Sequence, residues 1–174
     1  KTAMKQLILG GARSGKSRLA EQRAQDLGCR VVYIATAQAG DGEMSERILR
    51  HREQRPAEWR LVEEPIALAH VLQEQAASDV CLLVDCLTLW VTNLLLSDPG
   101  VLERELNALY QVLDSLPGEL IFVSNEVGWG IVPMGELSRQ FQDQAGWLHQ
   151  RLGEICDRVT LTVAGIPLEI KQPL

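Results

Sequence analysis

Eight residues, GGARSGKS at positions 10–17, carry the clearest chemistry in this chain. They satisfy G-x-x-x-x-G-K-[ST], with Gly10, Gly15, Lys16 and Ser17 in the fixed places and Gly11, Ala12, Arg13 and Ser14 between them. An apolar run precedes them and a helical pattern follows, the context that a phosphate-binding loop requires. Glycines there let successive backbone N–H groups turn inward around phosphate oxygens, and the helix N-terminus adds its dipole. Lys16 would reach the β- and γ-phosphates of a nucleoside triphosphate, and the Ser17 hydroxyl is placed to ligate Mg2+. The carboxylate on the far side of that metal is expected at the end of a neighbouring apolar strand, where CLLVD offers Asp85. Three roles fit Asp85: metal ligand, acceptor of a proton from a substrate hydroxyl, or cap of the next helix through Thr88.

A second stretch, SERILRHREQRP at 45–56, sets His51 among Arg47, Arg50, Arg52 and Arg55. Helical spacing puts Arg47, His51 and Arg55 on one face. Nearby positive charge disfavours imidazolium, so His51 keeps a nucleophilic nitrogen, and guanidinium forks match phosphate oxygens. Phosphoryl or nucleotidyl transfer through histidine needs that combination. A solvated Arg/Glu helix, with Glu46 and Glu53 pairing the arginines, fits the same residues.

The elements that must hold these residues follow from patterning. Apolar runs alternate with helical patterns from end to end, which predicts a mostly parallel sheet with helices on both faces and one domain over 1–174. Strands are expected at QLILGG, RVVYIAT, EWRLVEE, DVCLLVDCLT and GELIFVSNE. Helices are expected over KSRLAEQRAQDLG, from about 42 to 55, from Pro65 through PIALAHVLQEQAA, around LTLWVTNLLL and VLERELNALYQVLDSL, and over roughly 136–152. The closing DRVTLTVAGIPLEIK reads as an antiparallel hairpin turning at Ala164-Gly165 on a sheet edge. Ligands of open α/β sheets gather beyond the carboxyl ends of strands, which groups ATAQ (35–38), Glu63, Asp85 and SNEVGWGIVP with the phosphate loop.

Of 174 residues, 46% are hydrophobic and 23% charged, and the net charge is −6. An acidic chain argues against nucleic acid as a partner and makes the arginines around His51 a local basic island. The four cysteines include no Cys-x-x-Cys pair, which argues for reduced thiols over a zinc site. The longest apolar run is too short to span a bilayer, and no signal peptide is visible, so a cytoplasmic location is expected.

Taken in order, GGARSGKS, YIATAQ, DGEMSERILRHREQRPAEWRLVEEP, DCLTLWVTNLL, SNEVGWGIVP and AGIPLEIK resemble the bifunctional adenosylcobinamide kinase/adenosylcobinamide-phosphate guanylyltransferases of cobalamin biosynthesis. The resemblance implies a RecA-like P-loop NTPase fold and a homotrimer. It implies ATP or GTP as donor to adenosylcobinamide, then GMP transfer from GTP to adenosylcobinamide-phosphate through a guanylyl-histidine at His51. It further implies that Gly11 to Ser17, Thr36, Ala37, Gln38, Arg55, Glu63 and Asp85 contact nucleotide. The N-K-x-D guanine signature of small GTPases is absent, so guanine must be read by other contacts. Two rival readings remain: a P-loop small-molecule kinase without nucleotidyl transfer, and a non-catalytic, nucleotide-gated assembly module.

Overall fold

The structure, a computed structural model, describes residues 3–37 and 53–174. Its strands are β1 (Lys5–Gly10), β2 (Arg30–Ala35), β3 (Arg60–Glu63), β4 (Val80–Asp85), β5 (Glu119–Asn125), β6 (Arg158–Val163) and β7 (Ile166–Lys171). They form one sheet in the order β3-β2-β4-β5-β1-β6-β7. Every neighbouring pair is parallel except β6 with β7. β1, β2, β4 and β5 are buried along nearly their whole length. Burial on both faces is why they read as continuous apolar runs rather than alternating ones.

The described helices are α1 (Lys16–Asp26), α2 (Leu68–Gln75), α3 (Leu87–Leu95), α4 (Val101–Leu113) and α5 (Glu136–Ile155). Helix α1 lies on one face, where Ala20 and Ala24, four residues apart, meet Ile8, Val31, Leu83 and Ile121. The other four cover the opposite face, with Leu72, Trp90, Leu109 and Leu148 packed around Leu7, Val84 and Phe122. Trp90 is fully buried, and its indole N–H donates to Ile66 O at 2.8 Å, so no polar atom of the ring is stranded.

Two boundaries differ from expectation. α2 begins at Leu68 rather than at Pro65, because the Glu64 carboxylate accepts the N–H groups of Ile66 (3.0 Å) and Ala67 (3.1 Å) in a turn of its own. α5 runs past 152 to Ile155, since Leu148, Leu152 and Cys156 continue one buried stripe. The helix expected over about 42–55 lies outside the described residues apart from its end, where Glu53 is helical and the chain turns at Gln54. The hairpin is as expected: Ala164 (φ 52°) and Gly165 (φ 77°) make the doubly left-handed turn that suits strand twist.

One polar cluster locks that hairpin to α1. Glu169 of β7 accepts from Arg23 of α1 at 2.6 Å, from Arg158 of β6 at 2.9 Å and from Thr160 at 3.0 Å. Arg23 also donates to Thr160 Oγ1 and Gln6 Oε1, reaching β1. The hydrogen bonds from Arg158, with Thr160 and Arg23 behind them, pull the Glu169 carboxyl down to about 2 from an ordinary 4.5. A carboxyl that binds its proton more weakly when folded stabilises fully above 4.5 and loses that contribution as pH falls through about 2. Glu169→Gln should therefore cost about 2 kcal/mol at neutral pH and flatten the stability loss between pH 4.5 and 2. Urea unfolding at a series of pH values measures both, and an acid limb as steep as wild type would show that the cluster stabilises nothing.

Candidate active site

The phosphate loop leaves the sheet where β1 ends. A Cβ at Gly10 would strike Ser14 Oγ and lie 2.9 Å from Thr162 O, so the loop can curl back only over a glycine. Arg13 (φ 55°) and Gly15 (φ 94°) are both left-handed, and these reversals carry the backbone into the first turn of α1. From the other side the Gly165 N–H of the hairpin turn donates to Ser14 O at 2.7 Å. Lys16 folds over the loop, its Nζ donating to Gly11 O at 3.0 Å. Burial lowers the lysine's pKa, against the opposing pull of Asp85 and then Cys86.

A cleft of about 680 Å³ opens over this loop, lined by residues 12–18 together with Gln54, Asp85, Cys86 and Asn125. Asp85 closes β4 in register with Ala35 of β2 and Val123 of β5. Tyr33 OH donates to Asp85 Oδ2 at 2.6 Å, and the other carboxylate oxygen makes no hydrogen bond among the described residues. Burial first, then the Asp85 charge, raises the Tyr33 pKa well above its ordinary value. The Arg55 guanidinium lies 3.7 Å from the centre of the same ring, a cation–π contact. Glu21, one turn beyond Ser17 on α1, has a buried Oε1 with no hydrogen bond among the described residues. Its pKa is raised by burial and then by Asp85, with Arg55 pulling it back.

The sequence expectations divide accordingly. Ala12, Arg13, Ser14, Gly15, Lys16, Ser17 and Asp85 meet at one cleft, with Gly10 and Gly11 shaping its floor. Asp85 does not cap α3 through a side-chain hydrogen bond; the N-cap is Cys86. Thr36 is wholly buried, and its hydroxyl donates to Cys86 O (2.7 Å) and accepts from Cys86 N–H (3.1 Å). It fixes the chain next to Asp85 rather than lining the cleft. Ala37 is half-buried beside it. Glu63 is exposed at the end of the edge strand β3, on the same carboxyl edge but away from the cleft lining. Gln38 and His51 lie outside the described residues.

Sequence reading missed Cys86 on the cleft wall, whereas Asn125 belongs to the SNEVGWGIVP stretch that was grouped with the phosphate loop. The Asn125 amide donates to Thr88 Oγ1 at 3.0 Å, and the residue ends β5 in register with Gly10. A larger hollow, about 800 Å³, lies at the opposite end of the strands between residues 28–32, 58–60 and 74–77. It contains none of the loop or carboxylate groups, and the strands' carboxyl edge is where α/β sheets bind ligands.

Ser17 and Asp85 bring a hydroxyl and a carboxylate to the lining of the cleft that Lys16 also lines. Among the described residues no three His, Cys, Asp or Glu side chains group to hold a metal alone. Two protein oxygens plus phosphates and water are the donor set that Mg2+ takes, so the residues fit that ion.

Comparison with known proteins agrees with this geometry. Solved structures with the same fold include the flagellar accessory protein FlaH of Methanocaldococcus jannaschii, 12% identical, with a TM-score of 0.55 over 98% of this chain and 79% of that one. The RadB recombinase is 18% identical, with a TM-score of 0.50 over 91% and 73%. The fold is thus that of the P-loop NTPases, with a C-terminal antiparallel hairpin. The bifunctional adenosylcobalamin biosynthesis protein CobP of Pseudomonas aeruginosa is 62% identical over 98% of this chain and the whole of that protein. The corresponding CobU of Salmonella typhimurium is 41% identical over 95% and 98%. Residues 6–170 match the family model for cobinamide kinase / cobinamide phosphate guanyltransferase. With a phosphate loop and its carboxylate assembled and nearly the full chain matched, this protein belongs to the cobinamide kinase / cobinamide phosphate guanyltransferase family and is a transferase.

Proposed function

We propose that this chain phosphorylates adenosylcobinamide with ATP or GTP and then moves GMP from GTP onto that phosphate, through a guanylyl-histidine at His51. The products of the second reaction are adenosylcobinamide-GDP and pyrophosphate. The observation that carries this reading is the shared cleft: the phosphate loop, Lys16, Ser17 and Asp85 line it together with Gln54, which follows His51 by three residues in the chain. The closeness of His51 in sequence to a residue of the cleft supports the reading that both reactions use that cleft.

In the kinase half, the acceptor hydroxyl oxygen bonds to the γ-phosphorus and the bond to the β–γ bridging oxygen breaks, releasing nucleoside diphosphate. The hydroxyl proton goes to Asp85, our candidate for proton acceptor as well as metal ligand. In the guanylyl half, an imidazole nitrogen of His51 bonds to the α-phosphorus and pyrophosphate leaves. A phosphate oxygen of adenosylcobinamide-phosphate then displaces the imidazole, breaking the P–N bond and forming the diphosphate. Lys16 and the loop N–H groups hold the leaving phosphates in both halves. Mg2+, when bound, neutralises charge that builds on those oxygens. Nucleotide contacts are assigned to Thr36 through Gln38, Arg55 and Glu63 as well, with Thr36 acting from beneath through the chain it fixes.

The working state is read as a cytoplasmic homotrimer without a nucleic-acid partner. Trp129, Ile131, Val132 and Met134 are exposed on the loop before α5 and offer apolar area to a second copy. Among the described residues no helix is long and apolar enough to cross a membrane.

Incubation with Mg2+ and GTP labelled at the α-phosphorus should leave acid-labile, base-stable label on the protein, and His51→Ala should lose it. A folded, GTP-binding protein that passes γ-label to the corrinoid and forms no covalent nucleotide would be a plain kinase, and one that binds nucleotide without turning over a corrinoid would be an assembly module. Lys16→Ala should lower both half-reactions by about 100-fold or more, read as separate γ- and α-label transfer rates. Loss confined to one half would mean that the two reactions do not share the phosphate loop.

A further inference from the structure

We propose that Tyr33 is a positioning residue for this active site, fixing the rotation of the Asp85 carboxylate through its hydroxyl. The inference rests on the reading of Asp85 given above. Tyr33 sits within β2 and is 4% exposed, surroundings in which a tyrosine usually serves as core filling. A filling ring is equally well supplied by phenylalanine, and a buried phenol is satisfied by any nearby carbonyl. Here the acceptor is the carboxylate at the cleft, at 2.6 Å, and the ring carries the Arg55 guanidinium at 3.7 Å. One buried side chain thus touches two groups assigned to the nucleotide, on β4 and on the segment that follows His51.

The backbone makes this contact rigid. β2 and β4 are paired from Arg30↔Val80 to Ala35↔Asp85, so Tyr33 and Asp85 stand two residues apart on one face in fixed register. Asp85 ends its strand, where nothing else among the described residues hydrogen-bonds its side-chain oxygens, and without the phenol its carboxylate could rotate. Glu21 adds a like charge nearby, and Lys16 an opposite one, so an unanchored carboxylate would turn toward the lysine and away from the acid. Holding Oδ2 leaves Oδ1 as the single oxygen offered to a metal or a hydroxyl, the arrangement by which outer partners tune a ligand.

The test uses Tyr33→Phe, which keeps ring and volume and removes only the donor. Mn2+ binding is measured by electron paramagnetic resonance on the whole protein, in complex with a GTP analogue whose β–γ bridge is methylene. Tyr33→Phe should bind Mn2+ about 10-fold more weakly while its metal-free affinity for the analogue stays at the wild-type value. In an Asp85→Asn background the same change should add nothing, since the hydroxyl acts through that carboxylate. Unchanged Mn2+ affinity in Tyr33→Phe, or an equal fractional loss in both backgrounds, overturns the assignment and leaves Tyr33 as core. Absence of α-label on the wild-type protein would instead remove guanylyl transfer and leave the Mn2+ result to decide Tyr33.

Discussion

Between Gly10 and its neighbours there is no room for a single methyl group. That close approach is the constraint on which the nucleotide site depends. It lets the chain double back at the end of β1, so that Ser14 tucks behind the loop and Gly15 starts a helix aimed at the cleft. The left-handed residues Arg13 and Gly15 sustain the reversal, and the Gly165 N–H holds its outer side. With the curl in place the loop N–H groups converge and Lys16 returns across it. A larger residue at position 10 would push the loop away from β6 and disperse those donors together.

Electrostatics then explain why the loop seeks anions. Lys16 is 9% exposed and hydrogen-bonded to a neutral carbonyl, an acceptor weaker than a charged oxygen. Burial already presses its ammonium toward deprotonation. A triphosphate would replace that carbonyl with anionic oxygens in the same desolvated place, where charge interactions are strong. In the same cleft Asp85 is anchored by a phenol, and among the described residues it makes no salt bridge to Lys16.

Much of this was legible in the sequence, because the features concerned are local. The phosphate loop is a contiguous motif between a strand and a helix, and doubly buried strands announce themselves as apolar runs. The hairpin follows from small residues at its turn, and Asp85 from its place at a strand end. What sequence could not supply were relations across the sheet. Tyr33 looks like any aromatic in RVVYIAT until the register of β2 against β4 brings its hydroxyl to Asp85. The stretch SNEVGWGIVP belongs to this edge by pattern, and the pairing of β5 with β1 singles out Asn125 as its residue on the cleft wall. Thr36 follows a strand as a binding-loop residue would, yet its side chain turns inward, since the Cys86 backbone needs a partner there. Glu64 displaced the start of α2 by accepting N–H groups that the Pro65 reading had given to the helix.

The bond between Gly165 and Ser14 joins residues 151 positions apart, and it matters for biosynthesis. β1 is synthesised before β5 and β6 but lies between them, and their residues come more than a hundred positions later. Until β6 is synthesised, the first strand has one unpaired edge, and until the hairpin turns, the loop that follows it has no brace. The brace on the phosphate loop is thus among the later contacts to form. A chain shortened before residue 158 would carry the whole phosphate motif without the β6 pairing and the Gly165 bond that brace it. Slow, late closure is the expected folding order for a sheet in which the first of the described strands is an interior one.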